Sequence, residues 1–83
     1  MTLENFIILP EQRQKEILVD AYKLDERIDN STKIEFFGID DFFVEVKTSF
    51  LERYRKITNY YQSNNIPPTY SNKVTNYVMN KKG

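Results

Sequence analysis

The 83 residues of this chain include no cysteine, no histidine and no tryptophan, and only two glycines and three prolines. Each absence excludes something. Without cysteine there is no disulfide framework, no thiolate nucleophile and no thiolate metal site. Without histidine the chain lacks the usual general base near neutral pH and the commonest metal ligand. Acid–base chemistry would fall to Asp, Glu, Lys and Tyr, whose pKa values would need strong shifts in a site that so small a chain can hardly bury. The composition therefore points away from an enzyme, and no cofactor is expected. Long apolar runs are missing too: Phe6-Ile7-Ile8-Leu9 stops at Pro10, too short for a signal peptide or a membrane span. No membrane association is expected, and a cytosolic location is the default.

What is present fits one small α+β domain spanning 1–83. A chain of this length buries roughly 60–65% of its unfolded surface, which sets stability at about 5 kcal/mol. Hydrophobic content is 40%, and an aromatic content of 14% compensates because large rings bury the most area. A deep cleft between two domains is out of reach, so the working surface should be an edge, a flat face or a subunit interface.

The segment Phe36-Phe37-Gly38-Ile39-Asp40-Asp41-Phe42-Phe43-Val44-Glu45-Val46 reads as a β-hairpin, two aromatic and β-branched runs around a Gly/Asp break. Pairing Gly38 with Phe42, Phe36 with Val44 and Ile34 with Val46 makes one face wholly apolar. The other face then carries Phe37 opposite Phe43, and Glu35 opposite Glu45, a like-charge pair that destabilises. Slipping by one residue relieves that repulsion and scatters the apolar set over both faces, which should cost more. The expected core is Ile34, Phe36, Phe42, Val44 and Val46, joined by Ile17, Leu24 and Ile57. Phe37, Ile39 and Phe43 are left on the second face, where a helix, a C-terminal segment or a partner must cover them.

Around the hairpin, Thr2 can cap a short helical turn, and Leu9-Pro10-Glu11 starts a helix over about 10–20. Residues 22–28 fit either a continuation of that helix, by the spacing of Ile17, Ala21, Leu24 and Ile28, or a strand. Asp29-Asn30-Ser31-Thr32 is a turn cluster. Residues 54–61 are also open: Phe50, Tyr54, Ile57 and Tyr61 recur at helical spacing, and a strand after a turn around Ser49 to Arg53 fits less well by pattern. Ser63 to Pro68 is a break, after which a last helix over about 68–80 carries Tyr70, Val74, Tyr77 and Val78 as one stripe, with 81–83 as a frayed tail.

Leu9-Pro10, Ala21-Tyr22-Lys23-Leu24-Asp25-Glu26-Arg27 and the hairpin together resemble a group of short bacterial proteins of unassigned function. In that group a short helix precedes a stretch ending in Glu-Arg and a hairpin with a Phe-aromatic-Val-Glu-Val strand. The resemblance spans roughly residues 6–63 and implies a helix followed by an antiparallel meander of three to four strands centred on 33–48, with strands at 22–28 and 54–61. At Ser49 to Arg53 the group tends to have an Asn/Gly-type turn, whereas this chain has Phe50-Leu51-Glu52-Arg53. The group supplies no functional residues.

Net charge is zero, yet residues 1–41 hold ten acids and five bases while residues 42–83 hold two acids and seven bases. Such a −5/+5 split points to polyanion contact or complementary self-association, against the plainer reading that the halves cancel within one fold. Three sets of residues are candidates. Glu35, Asp40, Asp41 and Glu45 could cluster around a hard cation, but turn chemistry and pairing with Arg27, Lys33 or Lys47 account for them better, and no metal is expected. Lys47, Arg53, Arg55 and Lys56 with Tyr54, Tyr60 and Tyr61, extended by Lys73, Lys81, Lys82, Tyr70 and Tyr77, combine phosphate-neutralising cations with rings that stack on unpaired bases. Phe37, Ile39 and Phe43 could form an apolar contact patch, and with the charge split they favour a homodimer. The leading expectation is a non-catalytic protein-interaction module, such as an inhibitor, an immunity-type protein or an assembly accessory. The alternative is a nucleic-acid binder working through the basic, Tyr-rich second half. A carboxylate- or Mg-dependent enzyme comes third.

Overall fold

Thr2 starts the first helix, α1 (Leu3–Ile7), by accepting a 3.2 Å hydrogen bond from the Asn5 amide. Pro10 precedes α2 (Glu11–Val19), its carbonyl accepting from the amides of Arg13 and Gln14. The computed structural model describes the backbone of residues 1–82 and the side chains of residues 1–79. After α2 the chain forms four strands, β1 (Tyr22–Asp29), β2 (Thr32–Ile39), β3 (Phe42–Ser49) and β4 (Tyr54–Gln62), in one antiparallel sheet of order β1-β2-β3-β4. A 3₁₀ turn at Pro68–Tyr70 leads into α3 (Ser71–Lys82). The fold is the expected α+β meander between helices. The last helix runs past residue 80 to Lys82, and of the tail expected at 81–83, Gly83 lies outside the described residues.

Residues 22–28 become a strand although their periodicity would let α2 continue. The helix instead tightens at its end, where Asp20 and Ala21 donate to the carbonyls of Ile17 and Leu18. Contacts then fix the strand: Lys23 reaches Glu35, and Arg27 reaches Tyr70. Both edge strands carry an irregularity, β1 between Lys23 and Asp25 and β4 opposite Glu45/Val46.

The hairpin forms in the register the sequence reading disfavoured. Gly38 pairs with Phe43, Phe37 with Val44, Phe36 with Glu45 and Glu35 with Val46. Gly38 belongs to the strand, and the turn is Asp40-Asp41 alone, with Asp40 at φ 51°, a region Asp tolerates. The cost assigned to this register assumed a sheet with one buried face. Here both faces are covered, so each can take phenylalanines, and Glu35 no longer opposes Glu45.

Over one face lie α1 and α2, where Phe37, Ile39, Phe42, Val44 and Val46 pack with Phe6 and Leu18. Over the other lies the segment from Ile66 into α3, where Phe36 stacks on Tyr70 with ring centroids 3.8 Å apart and on Phe43 at 5.5 Å. Tyr77 lies so close to Gly38 that a Cβ there would stand 3.0 Å from its ring, which is why the strand has a glycine at this point. Of the expected core, Phe36, Phe42, Val44 and Val46 are buried, and Ile17, Leu24 and Ile57 pack against it half-buried. Ile34 is half-buried and belongs to neither cluster, because its strand has by then run beyond the helices.

Candidate interaction surface at the uncovered end of the sheet

The two core clusters occupy the half of the sheet near the Asp40-Asp41 turn, and the start of α2 reaches as far as Lys56 on β4, with which Leu9, Glu11, Gln14 and Lys15 line a cavity. Registers run in rows across the strands: Arg27–Ile34–Lys47–Lys56, then Ile28–Lys33–Thr48–Arg55, then Asp29–Thr32–Ser49–Tyr54. None of these twelve residues belongs to either core cluster. The end they form is closed by the turn Asn30-Ser31 and the four-residue turn Phe50-Leu51-Glu52-Arg53, held together by a 2.8 Å bond from the Phe50 amide to the Ser31 carbonyl. The second turn is further pinned by the buried Ser49 hydroxyl, which accepts from the Glu52 amide at 3.1 Å.

This second turn contains none of the usual turn residues. Phe50 is 51% and Leu51 79% exposed, and Ile28 stands exposed on β1. Arg53 occupies φ 59°, a left-handed conformation that suits Gly or Asn far better than Arg. Ile8 and Val19, beside the helix ends, are as exposed as Leu51.

Alternation along the strands divides the cations between two faces. On the α1/α2 face, Glu35 is buried beneath Lys23 at 3.3 Å, Arg55 at 3.6 Å and Lys33 at 3.9 Å, and Lys23 also reaches Glu26 at 2.6 Å. The Lys23 hydrogen bond holds the exposed Glu26 carboxyl below its ordinary range. Both Glu35 Oε1 and Thr48 Oγ1 are buried without a hydrogen-bond partner among the described residues. On the α3 face, Tyr70 donates to Glu45 Oε2 at 2.7 Å, and Asn59 donates to Glu45 Oε1 at 2.8 Å. Burial pushes the Glu45 carboxyl up, but the bonds from Tyr70, Asn59 and Thr58 outweigh it and the carboxyl is held low. Burial, then the bond to Glu45, pushes Tyr70 up to about 12, with Arg27 acting in the opposite sense.

Of the residues expected to contact a polyanion, Lys47, Lys56, Tyr54 and Tyr61 share the α3 face, while Arg55 and Tyr60 point to the other and Arg53 lies in the turn. Lys56 lies over the Tyr54 ring at 5.1 Å, Tyr61 is against Phe36 and Tyr60 is against Phe6. Tyr70 and Tyr77 are taken up by Phe36 and by Tyr22 and Phe43, so the rings meant for base stacking are engaged within the protein. The side chains of Lys81 and Lys82 lie outside the described residues. The expected contact patch is corrected more sharply. Phe37, Ile39 and Phe43 are 6%, 9% and 1% exposed, and Phe37 and Phe43 lie on opposite faces, each under its own helical cover. The aromatic centre of the expected homodimer is therefore inside the monomer.

Among the described residues no group of acidic side chains is arranged to hold a metal ion, and no helix is long and apolar enough to cross a membrane. Asp40 pairs instead with the N-terminal ammonium at 2.7 Å. The chain matches no protein-family model, no curated protein and no solved structure.

Proposed function

We propose that this chain is a non-catalytic protein-binding module, of the inhibitor, immunity or assembly-accessory kind, that works through the uncovered end of its sheet in the cytoplasm. The observation that carries the reading is the turn Phe50–Arg53, which holds two large apolar side chains in water at the point where helical cover has ended. Apolar side chains ringed by charge are the usual anatomy of a contact, the first supplying affinity and the second register. The sheet edges are poorer candidates. Both are irregular, and β1 reads Lys-Leu-Asp-Glu-Arg-Ile-Asp, the charged composition that discourages edge pairing.

Affinity capture from native lysate, repeated after nuclease treatment and with Leu51→Asp, tests the reading. A stoichiometric protein that survives nuclease and is lost with Leu51→Asp supports it. Recovery of nucleic acid alone, or of the same proteins by the variant, overturns it.

A further inference from the structure

Lys47 and Lys56 are direct cross-strand partners on β3 and β4, so two ammonium-bearing chains share one face and one row. Like charges directly opposite each other destabilise a sheet. Arg27 and Ile34 complete that row on β1 and β2. Among the described residues neither Lys47 nor Lys56 has a carboxylate within ion-pair distance, whereas the cations of the opposite face converge on Glu35. Arg27 is bound to the Tyr70 hydroxyl at 2.8 Å and lies 5.4 Å from its ring centroid, which holds one donor of the row in place. The free protein thus carries an arrangement that costs stability and that an anion on this face would relieve.

The anion's source follows from the neighbours. Single-strand binders add stacking platforms to their cations, and here Tyr70 is buried on Phe36, Tyr60 and Tyr61 lie half-buried against phenylalanines, Tyr54 lies under Lys56, and the exposed Tyr22 leans on Tyr77. The same end instead adds Phe50 and Leu51, which suit a protein surface and do nothing for a phosphate backbone. We infer that the Lys47–Lys56 pair is the docking site for carboxylate side chains of an acidic protein segment. This deepens the protein-binding reading and rests on it.

The probe is poly-L-glutamate, with oligothymidylate of matched charge as comparator, followed by thermal melting at low salt. At about ten times its dissociation constant, poly-L-glutamate should raise the midpoint of the wild-type chain by about 4 °C or more. Lys47→Gln/Lys56→Gln should melt at or above the wild-type temperature without ligand, which verifies its folding, and should lose the rise. Arg13→Gln, an exposed α2 side chain paired with Glu16, should keep it. No rise, a rise undiminished in the double variant, or an equal rise with oligothymidylate overturns the inference. The two claims fail separately: a captured partner lost with Leu51→Asp but retained by Lys47→Gln/Lys56→Gln leaves the protein-binding reading standing and removes this one.

Discussion

The hydroxyl of Tyr70 donates to Glu45 Oε2 at 2.7 Å and accepts from Arg27 at 2.8 Å, while its ring stacks on Phe36. One side chain thus joins the cover of the α3 face to the strand that carries the basic row. The phenol's folded pKa of about 12 lies above its ordinary value of 10.0, so its contribution is complete below pH 10 and is lost as pH rises through 12. The Glu45 carboxyl is held below its ordinary value, so its contribution is present above that value and is lost as pH falls through the lowered one. Tyr70→Phe keeps the stack and removes the bond. Its stability deficit against wild type should be constant near neutral pH and shrink between about pH 10 and 12. Urea melts of both proteins across that range check this, and a deficit independent of pH would mean that the hydroxyl contributes nothing through its proton.

Phe42 is 1% exposed, at the centre of the α1/α2 cluster and 5.4 Å from Phe6 between ring centroids. Phe42→Ala should cost about 3–5 kcal/mol, comparable to the whole stability of a domain this size, and should abolish a cooperative melt at physiological temperature. Calorimetry decides it. A melt within a few degrees of wild type would place this ring outside the essential core.

These two residues also mark what was legible in the sequence. The hairpin, its break near Asp40-Asp41 and the burial of Phe42, Val44 and Val46 could be read from alternation and turn chemistry, because those signals are local. The register could not, since it depends on how many faces are covered, a property of Phe6, Leu18 and Tyr70, which lie far along the chain from the hairpin. Pairing of Glu35 with Lys33 was legible, but its burial and its contacts with Lys23 and Arg55 depend on strands separated from it in sequence. Phe50 to Arg53 carried no turn signal at all. The helical spacing of Phe50, Tyr54, Ile57 and Tyr61 competes there with the strand, and only the pairing of β3 with β4 decides it. The mismatch between Phe50-Leu51 and a turn was visible, but without knowledge of where helical cover ends it had no meaning.

Arg53 sits at φ 59°, a strain that the proposed contact would explain. A left-handed L-residue costs about 1–2 kcal/mol, part of which glycine returns as chain entropy. Arg53→Gly should therefore gain up to about 1 kcal/mol, a rise of several degrees in the melting midpoint, while weakening partner capture. A less stable Arg53→Gly protein, or a more stable one that binds unchanged, would show that this position is not held for the contact.

On the proposed function, the Phe50–Arg53 turn, and not exposed apolar surface in general, meets a protein partner. Leu51 and Val19 offer a matched comparison at 79% and 80% exposure, one on the uncovered end and the other at the end of α2. A photo-crosslinking phenylalanine analogue placed at each position in turn, and irradiated in nuclease-treated native lysate, reads the contact directly. The expected result is one discrete protein adduct from position 51 and none from position 19. No adduct from 51, or the same adducts from both positions, would contradict the account.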